Sequence, residues 1–141
     1  MYTRATQELT HAGAMVVLQG AIAKAEEMGV PQCIAIVDTG GNLLAFVRMD
    51  GAKVLSQLSA TNKAVTAASS RVPTGGVDAD VEARLAFATD GKLTNLKGGL
   101  PITIGDQIVG AIGVGSGTGA QDVEVGQAGI AALHAAIAAG A

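Results

Sequence analysis

Aromatic side chains and charge are both scarce in this sequence. It has one Tyr, two Phe and no Trp, and Asp, Glu, Lys and Arg make up 15% of its residues, against about 25% in an average globular domain. The formal net charge is −3 and no basic stripe is present, so we do not expect nucleic-acid binding through phosphate contacts and aromatic stacking. A surface so poor in charge indicates that further copies of the chain cover part of it.

Cysteine is nearly absent as well. Cys33 is the only one, which excludes an internal disulfide and a four-cysteine zinc site, and we expect it to be a small apolar filler. Residues 1–10 lack the apolar run of a signal peptide, and the longest apolar stretch, 128–141, is too short to span a bilayer. We therefore expect a cytoplasmic protein without membrane contact, although a chain whose signal peptide had been removed would look the same.

The remaining composition is that of a folded protein. Hydrophobic residues make up 49% of the 141 residues, enough for a full core. Periodicity and turn residues predict helices over 10–28, 52–70, 79–87 and 121–139, and strands over 33–37, 43–48, 98–104 and 108–114. Two hairpins flanked by helices predict an α+β fold in one domain, 1–141, with an antiparallel sheet covered by helices.

Apolar spacing and capping residues predict the faces and ends of these helices. Thr10 is the expected N-cap of the first helix, Gly29 its C-terminal stop, and Asp78 the cap of the third helix. Lys63 is expected at the margin of the apolar face of the second helix. The predicted inward positions are Met15, Leu18, Ile22 and Ala25 in the first helix, and Val54, Leu58, Thr61, Val65 and Ala68 in the second.

Charged residues of the first hairpin and the second helix are candidates for catalysis or anion binding. Arg48 could grip a substrate carboxylate, or it could be an ion-pair partner. Asp38 could transfer a proton, but acceptance of backbone hydrogen bonds in the turn is the favoured interpretation. Lys63 could anchor an anion, or it could extend its ammonium group to water.

A glycine-rich segment precedes the last predicted helix. Gly115, Gly117 and Ala120 match the loose form G-x-G-x-x-A, but the second parallel strand of a dinucleotide-binding unit is missing, and no Gly-Lys-Ser/Thr follows. Free N–H groups around Gly115, Gly117 and Gly119 could attract an anion such as a propionate. A plain structural loop is the favoured interpretation.

Two histidines, His11 and His134, are the remaining candidate ligands. Each imidazole could bind haem iron, although a lone histidine is more often a surface or core residue. No paired-histidine or Cys/His spacing indicates a structural metal site, and no G-x-S-x-G elbow indicates a serine nucleophile.

Several motifs together resemble one known family. Segments 36–43 (IVDTGGNL) and 46–52 (FVRMDGA) resemble the first hairpin of the GlcG/HbpS-like haem-binding family, which includes the C-terminal domain of PduO-type proteins. Segments 62–67 (NKAVTA), 98–102 (GGLPI) and 109–114 (VGAIGV) resemble its next helix and second strand pair, and Gln121-Asp122 and Ala128-Gly129 its closing helix. The resemblance covers about residues 8–138. One departure is 114–117 (VGSG), where an inserted glycine precedes the usual Ser-Gly.

This resemblance implies a profilin-like α/β/α sandwich that forms an even-numbered homo-oligomer, such as an octamer. It implies a protein that binds haem or a related tetrapyrrole, with His11 as the carried-over iron ligand. Some members accompany catabolic pathways. The alternative is therefore a cofactor-independent lyase, hydrolase or tautomerase for a small carboxylate or oxo-acid, which would use Arg48 and Lys63, with Asp38 or Asp122 moving a proton. A third hypothesis is an accessory subunit without a site of its own.

The closing helix predicts how copies assemble. Residues 128–139 are almost entirely apolar, whereas a surface helix normally has a polar face. We therefore expect the sheet to cover one side of this helix and a second copy the other, unless the short helix over 79–87 covers it within one chain.

Overall fold

All eight predicted elements are present, in the predicted order, in the computed structural model, which describes residues 1–141. The helices are α1 (His11–Met28), α2 (Ser56–Ser70), α3 (Ala79–Ala88) and α4 (Gly119–Ala138), and the strands are β1 (Cys33–Val37), β2 (Leu43–Arg48), β3 (Gly99–Ile104) and β4 (Gln107–Gly115). The strands form one antiparallel sheet in the order β2-β1-β4-β3. Because α1 and α4 cover one face and α2 the other, the predicted α+β sandwich is confirmed.

The face of the sheet under α1 and α4 carries the large apolar side chains. Ile34 and Ile36 of β1, Ile102 of β3 and Ile112 of β4 are fully buried there, against Val17 and its neighbours in α1 and α4. Burial of a side chain of this size contributes roughly 1.5–3 kcal/mol. This layer is therefore the main hydrophobic core.

The face under α2 carries small side chains instead. Ala35 and Ala111 of the sheet pack against a row of alanines in α2 that includes Ala60 and Ala64. A Cβ atom added at Gly113 would lie 2.0 Å from the carbonyl oxygen of Ala60 and 2.4 Å from the backbone nitrogen of Ala64. The backbones of helix and strand are thus nearly in contact.

This close approach makes the predicted inward face of α2 wrong in part, although Ala68 is buried and Val65 packs against the core as predicted. The helix begins at Ser56 rather than at residue 52, and Val54 and Leu58, both predicted to be buried, are exposed. Only small side chains fit between α2 and β4, so its alanines face the sheet and its leucine faces outward. Lys63 also belongs to the buried face rather than to its margin.

The predicted helix ends are mostly confirmed. The Thr10 hydroxyl accepts a hydrogen bond from the Gly13 N–H at 3.0 Å, and Gly29 ends α1 in the left-handed conformation with φ 68°. α4 begins two residues earlier than predicted, because a capping box fixes its first turn. Asp78 precedes α3 but makes no capping hydrogen bond, and Met15 in α1 is exposed rather than buried.

The closing helix α4 packs against α1 within the chain. A Cβ atom at Gly20 of α1 would lie 2.4 Å from Cβ of Ala132, and one at Gly129 would lie 2.7 Å from the Val17 carbonyl oxygen. Small residues let α1 and α4 approach closely, but Ala131, Ala135 and Ile137 of α4 are exposed, so the cover of this side by a second copy stays a prediction. No helix combines the length and the hydropathy needed to cross a bilayer.

We predict that Gly113→Ala lowers the free energy of unfolding by about 1–3 kcal/mol, because the new methyl group forces α2 away from β4. Gly76→Ala is the matched control, since a Cβ atom there meets nothing within 4 Å. Urea unfolding followed by circular dichroism measures both. Equal midpoints and slopes for the two variants would contradict the close approach of α2.

Candidate functional site

A buried ion pair lies where α2, β4 and α4 meet. The Lys63 ammonium nitrogen Nζ is 2.9 Å from Oδ2 of Asp122 and donates to the Val114 carbonyl oxygen at 2.8 Å. Oδ1 of Asp122 accepts from the Gly117 N–H at 3.0 Å. Both side chains are almost fully buried, so Lys63 does not extend to water, contrary to one of its two expected roles.

Two consecutive glycines make room for this pair. A Cβ atom at Gly98 would lie 3.1 Å from Nζ of Lys63 and 2.9 Å from Cβ of Asp122, and one at Gly99 would lie 2.3 Å from the Lys63 carbonyl oxygen. Lys63 therefore passes the end of the sheet and joins α2 on one face to α4 on the other. The Gly98-Gly99 dipeptide was the sequence signal for this crossing, and we did not predict the pairing.

The glycine-rich loop uses its donors internally. The Thr118 N–H donates to the Gln121 side chain at 2.9 Å, in addition to the Gly117 bond to Asp122, and the Ser116 hydroxyl accepts from the Lys53 N–H at 2.9 Å. Gly115 ends β4 and Gly119 begins α4. These contacts support the structural interpretation of the loop, and anion binding by its glycines stays a prediction.

One polar side chain beside this loop has no partner. The amide of Gln32 is fully buried, and neither its oxygen nor its nitrogen makes a hydrogen bond. A Cβ atom at Gly117 would lie 2.7 Å from the Gln32 nitrogen Nε2 and 2.9 Å from Oδ1 of Asp122. The polar cluster at this end of the sheet is therefore closed off from solvent.

Asp38 accepts backbone hydrogen bonds in the turn between β1 and β2, as the favoured interpretation predicted. Its Oδ1 accepts from the N–H groups of Gly40 and Asn42, each at 2.9 Å, and from the Asn42 amide at 3.1 Å. These bonds close the turn between β1 and β2. The carboxylate is thus committed to the backbone, and its role in proton transfer stays a prediction.

Arg48 lies apart from Lys63. It is exposed at the end of the edge strand β2, opposite Cys33 in the sheet register. Burial raises the pKa of the Cys33 thiol above its ordinary value, and the positive charge of Arg48 offsets part of that rise. Because the Lys63 ammonium is buried against Asp122, the two cations do not share an accessible site, and their joint catalytic role stays a prediction.

An apolar groove lies beside His11. It has a volume of about 320 Å³ and runs between the start of α1, the end of β3 and the last turns of α4. Thr10 and Ala12, the neighbours of His11, both line it, and the imidazole is exposed. The main hydrophobic lining residues are Leu9, Val16, Ile104, Leu133 and Ile137.

The second histidine, His134, already makes a hydrogen bond within the chain. Nε2 of His134 lies 2.7 Å from the Thr103 carbonyl oxygen. A carbonyl oxygen can only accept, so this nitrogen carries the proton and donates. His11 makes no hydrogen bond through its ring, which leaves it as the available imidazole next to the groove.

This fold defines a class: a four-stranded antiparallel sheet between a two-helix layer and one close-packed helix. The family model for haem-degrading HbpS-like proteins matches residues 9–131. The chain belongs to this HbpS-like family, as its motifs indicated.

Individual relatives agree with this assignment. Protein GlcG of Escherichia coli K12 is 44% identical over 82 residues, which cover 57% of this chain and 61% of GlcG; the match thus spans about three fifths of GlcG. The crystal structure of Klebsiella pneumoniae protein ORFY superimposes with a TM-score of 0.87 at 29% identity, covering 96% of this chain and 97% of that one. The crystal structure of a PduOC–haem complex gives 0.81 at 26% identity, covering 89% and 94%.

We predict that Asp122→Ala lowers the free energy of unfolding by about 3–5 kcal/mol, because it leaves the Lys63 ammonium buried without a counter-charge. The control is Glu124→Ala, which removes a partly exposed pair with Lys24 at 3.5 Å and should cost at most about 1 kcal/mol. Urea titration of both variants makes the comparison. A loss for Asp122→Ala no larger than for Glu124→Ala would contradict the importance of the buried pair.

Proposed function

We propose that this protein binds haem or a related tetrapyrrole, with the His11 imidazole as the iron ligand. The observation that carries the proposal is the position of His11, exposed at the start of α1 between two residues that line an apolar groove. Histidine is a common axial ligand of haem iron. A free imidazole beside an apolar surface supplies both kinds of contact that a haem requires.

The groove fits one edge of a porphyrin. Its aliphatic side chains suit a hydrocarbon ring, and its volume of about 320 Å³ is at the small end of the roughly 300–1,000 Å³ of small-molecule sites. The rest of the ring would lie outside the groove, against solvent or another copy. Bound haem would supply one-electron and oxygen chemistry at its iron, while this chain would supply the ligand and the apolar contact.

The relatives support the ligand class. A structural relative over most of this chain was solved as a complex with haem, and the family is described as haem-degrading. The alternative, an enzyme for a small carboxylate, is less well supported, because Lys63 is paired with Asp122 and Asp38 with its own turn.

We also propose that copies assemble through the outer face of α2 and the neighbouring α3. Leu55 and Leu58 are 82% and 64% exposed, and Phe87 is 90% exposed. None of the ten residues of α3 is buried, and the only charge in α2 is the buried Lys63. Although α3 also carries Asp80, Glu82 and Arg84, exposed apolar side chains on a helix with no exposed charge, as in α2, are typical of an interface. Closed symmetry favours an even number of copies.

We predict that haemin added to the wild-type protein gives a saturable shift of the Soret band. His11→Ala should weaken binding at least about tenfold and change the band position, because the axial ligand is lost. His134→Ala is the control and should titrate like the wild type. Identical spectra for wild type and His11→Ala would show that His11 is not the ligand, and the absence of any shift would refute haem binding.

We predict that Leu58→Glu splits the assembly, because it buries an unpaired charge in the α2 face. Ala135→Glu, on the exposed side of α4, should leave the mass unchanged. Light scattering at micromolar concentration gives the mass of each variant. A wild-type mass equal to one chain, 13.9 kDa, would refute self-association, and dissociation by Ala135→Glu alone would move the interface to α4.

A further inference from the structure

A polar cleft lies at the end of the sheet opposite the Lys63–Asp122 pair. Its volume is about 650 Å³. Four segments form its walls. They are residues 4–7 of the N-terminal arm (residues 1–10, which precede α1), Thr39 in the β1–β2 turn, the last turn of α2, and the β3–β4 turn. It shares no lining residue with the groove beside His11.

The N-terminal arm is fixed in place as one wall of this cleft. The Glu8 carboxylate accepts from both the N–H and the hydroxyl of Thr39. The Leu9 N–H donates to the Val109 carbonyl oxygen at 3.0 Å. These bonds attach the arm to the β1–β2 turn on one side and to β4 on the other, so residues 4–7 lie against the folded chain.

Two arginines from separate segments line the cleft. Arg4 lies on the arm and Arg71 directly follows α2, and neither guanidinium makes a salt bridge or a hydrogen bond. The hydroxyls of Thr6 and Ser69, which also line the cleft, make no hydrogen bond either. The cleft thus brings together two free cations and two free donors.

The residues that line the cleft carry a net positive charge. Asp106 is the only carboxylate that lines the cleft. Glu8 on the arm is bonded to Thr39, and Asp38 is bonded within its own turn. Both of these carboxylates keep their negative charge but do not line the cleft, where two guanidiniums face the single carboxylate of Asp106.

The dipole of α2 accounts for only one of the two arginines in the cleft. A cation after a helix C-terminus interacts favourably with the helix dipole, which accounts for Arg71. However, Arg71 has a φ of 65°, a left-handed conformation that glycine adopts far more readily. Arg4 lies outside any helix, so the dipole does not account for it. Since nothing within the chain pairs with either guanidinium, both are available to a ligand in the cleft.

We propose that this cleft binds a small organic carboxylate. Arginine recognises carboxylates through two parallel hydrogen bonds, and the Thr6 and Ser69 hydroxyls are placed to donate to further oxygens of the ligand. Asp106 adds one negative charge, which disfavours a highly charged anion such as phosphate and suits a hydroxyl or ammonium group on the ligand. The site is separate from the proposed haem site and stands without it.

Calorimetric titration with succinate, lactate and inorganic phosphate at low ionic strength tests this proposal. The wild type should bind at least one of the two carboxylates saturably, and more tightly than phosphate. Arg71→Gly is the most informative variant, since glycine suits the left-handed backbone and the fold stays intact while the guanidinium is lost. Arg71→Gly and Arg4→Ala should each weaken carboxylate binding at least about tenfold.

Arg84→Ala is the matched control, because Arg84 is an exposed arginine on α3, away from the cleft. It should bind the carboxylate like the wild type. The proposal is overturned if neither carboxylate binds below about 10 mM, if phosphate binds more tightly, or if Arg84→Ala weakens binding as much as Arg71→Gly. It is also overturned if Arg71→Gly weakens haemin binding while no small carboxylate binds, since the cleft would then hold haem propionates.

Discussion

The Lys63–Asp122 ion pair is the contact on which the two helical layers depend. Lys63 comes from α2 under one face of the sheet and Asp122 from α4 on the other, so the pair forms only when both layers are in register at the same end. Removing two charges from water costs several kcal/mol per ion. The Val114 carbonyl and the Gly117 N–H offset part of that cost, and in doing so they also fix the loop before α4.

The two faces of the sheet stabilise the fold in different ways, and this explains the composition. Isoleucines under α1 and α4 supply buried apolar area, whereas Gly113 and the alanines of α2 allow backbones to touch. Neither arrangement needs an aromatic ring, and close approach excludes one. A ligand of this protein therefore meets aliphatic side chains, backbone and a few polar groups, so an axial ligand such as His11 would have to supply much of the affinity for haem.

The elements were predictable from sequence, while the faces and long-range pairs were not. Strand alternation, turn residues, the Thr10 cap and the Gly29 stop are local signals, and they placed every helix and strand. The orientation of Leu58 in α2 was predicted wrongly, because periodicity assigns the largest apolar residues inward, and the narrow space above Gly113 reverses that choice. Lys63 and Asp122 are 59 residues apart, so only the Gly98-Gly99 pair hinted at their contact. His11 came from the family resemblance, and its groove depends on three elements that only the fold brings together.

Polar groups divide the molecule into two ends with different roles. At the end that contains Lys63, the buried polar side chains are either paired or, like Gln32, sealed from solvent, and Arg48 is an exposed cation there. At the opposite end, next to the N-terminal arm, the His11 imidazole and the guanidiniums of Arg4 and Arg71 have no partner and are exposed. Unpaired donors and ligands that water can reach are available to a solute, whereas satisfied buried groups stabilise the fold. Two guanidiniums and an imidazole at the arm end, against the exposed guanidinium of Arg48 at the other, favour ligand binding at the arm end. The glycine-rich loop belongs to the structural end because its N–H groups at Gly117 and Thr118 are already bonded.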